Sequence, residues 1–263
     1  MLAIAVGLIV FAVARKAQPA SNQQGSGIEP PDATLATELI VATFNIQTGK
    51  NSKGKRDISR SARVLKDAAL AGVQEVYAPT WLNRLGVGTA QPEALAIGSA
   101  GRTLFSATRL RWWREHRGNA IVTKLPIEHW RTEMLPDRSG KSFRNFTVAK
   151  TNWRGHTFFF INTHLHTRAG RDEQLAEVLQ EFDRYQRVIL VGDFNTDFDN
   201  PTLQQALNET DVCDAISEAG LEPHTDRRID WILCKGFAVI SGRSLPIGVS
   251  DHPYYEVTLS PLP

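Results

Sequence analysis

Apolar positions in this chain come in short blocks separated by polar turns. Residues 39–44 form an apolar run ending at Asn45, the pattern of a strand buried on both faces. A polar loop rich in Gly and Lys follows, and Asp57 then stands where a helix N-cap belongs. Ile58, Ala62, Leu65 and Ala69 share one helical face, and Gly72 is expected to stop that helix. Residues 73–76, 102–107, 119–124 and 127–135 read as strands, and residues 143–153 and 156–163 flank Arg154-Gly155 as a hairpin. Leu175, Val178, Leu179 and Phe182 mark an amphipathic helix, residues 187–191 a buried strand, and Asn200-Pro201 a capped helix start. Strands at 228–234, 237–241 and 254–259 complete the pattern. Many strands with few helices between them predict a layered α/β sandwich.

The N-terminal end differs. Residues 2–14 (LAIAVGLIVFAVA) are uninterrupted apolar and are followed by Arg15 and Lys16. As a helix they span about 20 Å, against about 30 Å of bilayer hydrocarbon. The run has the size of a signal-peptide core and is short for a membrane-spanning helix, although the basic leader of a signal peptide is missing before it. Residues 1–16 are expected to target a membrane, as signal peptide or signal anchor. The basic pair places the Arg15 side in the cytoplasm, whereas a cleaved signal exports the domain, so the side of the membrane stays open. Residues 17–37 are rich in Pro, Gly, Ser, Gln and Asn and predict a flexible linker. The folded domain is expected over residues 38–263.

Composition narrows the class. With 42% hydrophobic and 22% charged residues, the 263 positions suffice for one large core and exclude collagen-like, disulfide-dense and wholly disordered chains. Lys and Arg number 30 against 28 Asp and Glu, a net charge of +2, so any preference for an anionic substrate must be local. Cys213 and Cys234 are too few for a disulfide framework and lack metal-binding spacing. One bridge between them, or two separate small buried apolar residues, are both open. A monomer is expected.

Polar residues interrupt the apolar strands mostly at their ends: Asn45 in TFNI, Glu75 in VQEV, His164 in INTHLH, Asp193 and Asn195 in VGDFN, Asp230 in RIDWIL, and Asp251 with His252 in VSDHP. Singly, each is an ordinary turn former or strand-end residue. Together they supply carboxylates, amides and imidazoles, the set that a hard-cation phosphoryl-transfer site needs. His164 and His166 would share a strand face, as a zinc pair does, but no third nitrogen or sulfur ligand lies near them in sequence.

In their order, FN, QE, NTHL, GDFN, RIDWIL and SDH resemble the motifs of the endonuclease/exonuclease/phosphatase superfamily, the deoxyribonuclease I-like fold, over about residues 39–259. The resemblance implies a four-layered α/β sandwich with two central, mainly antiparallel sheets and a site at one sheet edge. It implies a hydrolase of phosphodiester or phosphomonoester bonds that uses a divalent metal, usually Mg²⁺, with Mn²⁺ as a substitute. Glu75 resembles the main metal ligand, with Asn45 and Asp251 close to the same ion. Asp193 resembles the carboxylate that orients or deprotonates the attacking water, and Asn195 the amide that holds that nucleophile or a phosphate oxygen. His252 would touch the scissile phosphate with Asp230 orienting its ring. His164 matches the other imidazole, an acid for the leaving oxygen or a stabiliser of the pentavalent state. The non-enzyme alternative is a membrane-tethered phosphate-binding module.

For the substrate, residues 102–119 (RTLFSATRLRWWREHRGN) carry five arginines and the pair Trp112-Trp113. Guanidinium groups grip phosphates, while aromatic rings stack on bases or lie at lipid headgroups. An ordinary exposed loop whose tryptophans cover the core is the plainer reading of the same segment. RGNAIVTKLPI also resembles a cleft-lining strand of the family, which makes Arg117 and Asn119 expected phosphate contacts, with Arg144 in FRNFTV as a third. A nuclease acting on nucleic acid is the first expectation. Phospholipid headgroups, on the phosphoinositide or sphingomyelinase pattern, are the alternative suggested by the N-terminal run.

Overall fold

The computed structural model describes residues 6–7, 17–30, 37–80, 90–111, 115–140 and 142–263. Its first sheet runs β1 (Gln18–Pro19), β5 (Arg102–Leu110), β6 (His116–Thr123), β4 (Leu70–Ala78), β3 (Leu39–Asn45), β14 (Tyr254–Pro261) and β13 (Phe237–Leu245). The second runs β11 (Cys213–Asp214), β12 (Asp230–Lys235), β10 (Val188–Asp193), β9 (His156–His164), β8 (Asn145–Trp153), β7 (Ile127–Met134) and β2 (Gln23–Ile28). Neighbouring strands are antiparallel except β3–β4 and β9–β10, each of which is joined through a helix as parallel pairing requires. The α/β fold with two mainly antiparallel sheets is as expected from the motifs.

Strand patterns explain the layering. In β10, Ile189 and Val191 face the other sheet while Val188 and Leu190 face outward, and all four are buried. In β12, Ile232 and Cys234 point inward and Trp231 and Leu233 outward. Such strands read as continuous apolar runs because both faces are covered. Helix α1 (Ile58–Val64) and α2 (Gln91–Ser99) supply Ala62 and Leu95 to the layer over the first sheet. Helix α3 (Arg171–Phe182) lays Leu175, Val178, Leu179 and Phe182 on the second, with Leu203 of α4 (Pro201–Leu207) beside them.

Local signals behave as chemistry dictates at several points. Asp57 caps α1 by accepting from Ser59 N at 3.1 Å, and Asn200 caps α4 by accepting from Leu203 N at 3.1 Å. Arg154 and Gly155 both hold positive φ, 51° and 86°, the pair of angles that lets a two-residue hairpin follow the strand twist.

Two expectations are corrected. The helix begun at Ile58 ends at Val64, and β4 already starts at Leu70, so Gly72 is a strand residue and no helix stop. A Cβ there would meet Val191 and stand 2.6 Å from Asn162 Oδ1, so the two sheets approach too closely for a side chain. The stretch read as a flexible linker contributes edge strands to both sheets. β1 pairs with β5, and β2 pairs with β7. Edge pairing uses backbone groups and needs no apolar face, which is why the polar run Gln23–Ile28 gave no strand signal. Gly25 even lies against the Trp130 indole, where a Cβ would come within 2.8 Å.

Among the described residues no helix is long and apolar enough to cross a membrane. The apolar run 2–14 lies outside them except for Val6 and Gly7, as do Trp112, Trp113 and Arg114.

Candidate active site

Asn45 ends β3, His164 ends β9, Asp193 ends β10 and Asp230 begins β12. Because His164, Asp193 and Asp230 are register partners across β9, β10 and β12, their side chains emerge at one level of one sheet edge. Asp193 is the centre. Its Oδ2 accepts from Asn45 Nδ2 at 2.9 Å and lies 3.3 Å from His164 Nε2 and 3.7 Å from His252 Nε2. Its Oδ1 accepts from the Asn195 backbone N–H at 3.0 Å. Asn195 reaches that position with φ 52°, a left-handed conformation that Asn tolerates better than most residues.

Burial decides the charge states. Burial raises the Asp193 carboxyl to about 7, with repulsion from Asp230 adding to it and His252 and Asn45 opposing it. For His252, burial alone favours the neutral ring. Its hydrogen bond to Asp230, 2.9 Å from Nδ1 to Oδ2, and the charges of Asp230, Asp193 and Asp251 outweigh that and raise it to about 10. His164 is pushed well below the ordinary imidazole range by burial, then by the charges of Arg144 and Arg117. Arg144 Nη1 lies 3.4 Å from His164 Nδ1, and a guanidinium only donates. Nδ1 is therefore the acceptor of a neutral ring, and Nε2–H points to Asp193. The buried His164 ring thus faces the Asp193 carboxylate with Nε2 and Arg144 with Nδ1.

Arginines line the neighbouring side. Arg144 is lowered to about 10 by burial and by repulsion from Arg117, while Asp193 and Glu75 partly offset this, and its Nε is buried without a hydrogen-bond partner. Arg117 forms an ion pair with Glu75. Glu75 occupies a break in the β4–β6 register between Val73 and Val76 and holds φ 60°, a strained angle for a residue with a side chain. The bulge turns Glu75 out of the alternation of its strand.

The sequence-derived residues thus fall in different places. Asn45, His164, Asp193, Asp230 and His252 converge, and Arg144 joins them through His164. Asn195 meets Asp193 through its backbone N–H, and its side-chain Nδ2 donates to Leu165 O at 3.0 Å. Asn119 is buried between the sheets and donates to Asn145 Oδ1 at 3.0 Å. Asp251 is exposed, with Ser250 Oγ donating to it at 3.1 Å. His166 lies past the end of β9 and its Nδ1 accepts from Arg168 N, so it forms no zinc pair with His164. Two supporting residues went unread in the sequence: Arg171, whose Nη1 donates to Asn195 O at 2.9 Å, and Asn145, the partner of Asn119. Asn145 left a signal, a polar residue opening an apolar strand; Arg171 left none.

The donor set fits a divalent cation. Among the described residues, Asp193, Asp230 and His252 form a group whose ligand atoms all lie within 4.8 Å of one another. Asp230 Oδ1 is buried with no hydrogen-bond partner, an oxygen left open for a cation. Of the trio assigned from the motifs, Asn45 touches this group through Asp193, Glu75 is engaged by Arg117, and Asp251 precedes His252 at the surface.

Comparison with known proteins matches the fold. Among solved structures, an endonuclease/exonuclease/phosphatase from Beutenbergia cavernae superimposes with a TM-score of 0.70 at 24% identity, covering 86% of this chain and 72% of that one. A mannosyl-6-phosphatase from Bacteroides thetaiotaomicron matches with a TM-score of 0.63 at 20% identity over 84% of this chain and 99% of that one. The D. rerio TDP2 structure with a single-strand DNA product matches with a TM-score of 0.59 at 16% identity, over 85% of this chain and 99% of that one. A search of curated protein sequences matches nothing to this chain. The sequence model of the endonuclease/exonuclease/phosphatase family matches residues 42–252, and the chain accordingly belongs to that family of phosphoester hydrolases.

Proposed function

We propose that the chain hydrolyses phosphodiester bonds in nucleic acid with the help of a divalent cation, magnesium or manganese. The observation that carries the reading is the line Asp230–His252–Asp193 with Arg144 and Arg117 beside it. It offers a carboxylate that titrates near neutrality, a cationic imidazole and two guanidinium groups, the complement of a phosphate under attack by water.

In this reading Asp193 takes the proton of the attacking water while Asn45 and neutral His164 hold its carboxylate in place. Protonated His252, kept cationic by Asp230, donates to a phosphoryl oxygen. Arg117 and Arg144 bind the remaining phosphate oxygens. A cation held by Asp193 and Asp230, or by Glu75 with Asn45 and Asp251, would supply charge neutralisation of the phosphate. Nucleic acid is favoured by Arg109, Arg111 and Arg117 on and beside the β5–β6 pair, and by the DNA product in the TDP2 structure. We further propose that residues 1–16 target the chain to a membrane.

A substrate panel with the full chain and Mg²⁺ tests the function: single-stranded DNA, duplex DNA, RNA, sugar phosphates and phospholipid vesicles. Cleavage of a polynucleotide, lost in Asp193→Asn, supports the reading. Turnover confined to sugar phosphates or to lipid overturns the nucleic-acid choice, and binding without turnover on any substrate overturns the catalytic one. Membrane pelleting of the full chain, absent for residues 17–263, tests the targeting.

A further inference from the structure

The two cysteines lie outside the catalytic group, yet the fold has brought them together. Cys213 and Cys234 are register partners in the antiparallel pair β11–β12, and both are free thiols. Directly opposed residues of an antiparallel pair have Cα atoms about 4.5–5.5 Å apart. A disulfide spans Cα separations of about 4.4–6.8 Å, so the register brings this pair within reach of one. Both side chains lie on the face of that sheet that packs into the core between the two sheets.

We propose that Cys213 and Cys234 are a site of reversible disulfide formation that fastens the edge strand β11 to the sheet carrying Asp230. Their surroundings divide the labour. Cys213 is half-buried and Cys234 fully buried, so a reagent in solution reaches Cys213 first. The neighbouring Cys234 thiol makes the Cys213 thiol more acidic, and the same neighbour together with burial makes Cys234 less so. The reaction is thiol–disulfide exchange with a small-molecule disulfide. The Cys213 thiolate attacks one sulfur of the reagent, forming a mixed disulfide and releasing one small thiolate. Cys234 then gives its proton to a base in solution and attacks the Cys213 sulfur, releasing the second small thiolate. Two protein thiols are oxidised, one disulfide is reduced to two thiols, and the balance closes.

What the bond would secure is visible in the neighbouring contacts. β11 has only two residues and is held along one edge. Asp214, beside Cys213, forms an ion pair with Arg228 and caps a short helix by accepting from Ser217. The Arg228 guanidinium lies 4.0 Å from the Trp231 ring centroid and 4.8 Å from that of Phe198. Phe198 and Arg228 belong to the segments that carry Asn195 and Asp230. A covalent bond at Cys213 therefore restrains an edge that borders the catalytic group, and it closes the loop from 213 to 234 in the unfolded chain.

The test uses the full chain incubated with oxidised glutathione under native conditions, followed by mass spectrometry and peptide mapping. Wild type should lose both thiols, retain no glutathione and yield a cross-linked peptide containing Cys213 and Cys234. Its unfolding midpoint should rise by about 5–10 °C and fall back on reduction. Cys234→Ser should trap one glutathione on Cys213, and Cys213→Ser should take up none while folded. The wild-type map decides the matter even if a variant fails to fold. Retention of both thiols, a stable glutathione adduct on wild type, or cross-links only between chains overturns the proposal.

Discussion

His252 Nδ1 lies 2.9 Å from Asp230 Oδ2 while its other ring nitrogen faces Asp193 at 3.7 Å, so one imidazole links two carboxylates that oppose each other across β10 and β12. The Asp230 bond does most to keep the ring cationic. Asp230→Asn should lower the His252 titration from about 10, observable in the ring-proton NMR shifts, and reduce turnover about a hundredfold or more with the fold intact. Unchanged turnover with a lowered titration would remove the cationic ring from the mechanism.

Asp193 has a stability cost of the opposite sign to an ordinary salt-bridged carboxylate. Its folded titration is raised to about 7 from the ordinary 3.8, so the stability of the neutral form is complete below 3.8 and lost as pH rises through about 7. In chelator, Asp193→Asn should unfold at a higher temperature than wild type at pH 8, with the gap closing towards pH 4. Its turnover should fall about a hundredfold or more. A variant less stable than wild type at pH 8 would show that the bonds from Asn45 and Asn195 outweigh the burial.

Removal of divalent cations should abolish hydrolysis, and Mg²⁺ or Mn²⁺ should restore it. Cation and protons compete for the carboxylate ligands, so Mn²⁺ affinity by calorimetry should weaken as pH falls. Glu75→Ala and Asp230→Ala separate the two ligand groups, since only the variant that removes a ligand should lose Mn²⁺ binding. Full activity after exhaustive dialysis against EDTA contradicts the cation.

If Arg109 and Arg111 contact polynucleotide phosphates, each contact releases about 0.7–0.9 of a counterion. The double Ala variant should then bind single-stranded DNA with a salt slope shallower by about 1.5. Parallel slopes for the variant and wild type exclude these two contacts.

Gly72→Ala probes the spacing between the sheets. The new methyl would collide with Val191 and Asn162, and overpacking of this kind costs about 1–3 kcal/mol. Thermal unfolding measures it, and a neutral result would mean that the sheets separate without cost.

By itself the sequence determined the parts set by near neighbours. A continuous apolar run marks β10 as a strand buried on both faces, and Asp57 and Asn200 announce their helices because a cap acts within one turn. The order of the polar strand-end motifs also carried the family and the α/β sandwich. Only the tertiary structure decided what depends on distant partners. Gly72 is a strand residue because Val191 and Asn162 press on it from the other sheet. Gln23–Ile28 is a strand because β7 offers it a free edge, and Glu75 leaves its strand's alternation because β4 and β6 slip past each other. Charge states belong to the same class: His164 is neutral and His252 cationic in one site because each is buried beside a different charge, Arg144 for one and Asp230 for the other. Side-chain period and caps are local properties of the chain, whereas register, close approach and desolvation exist only once remote segments have met.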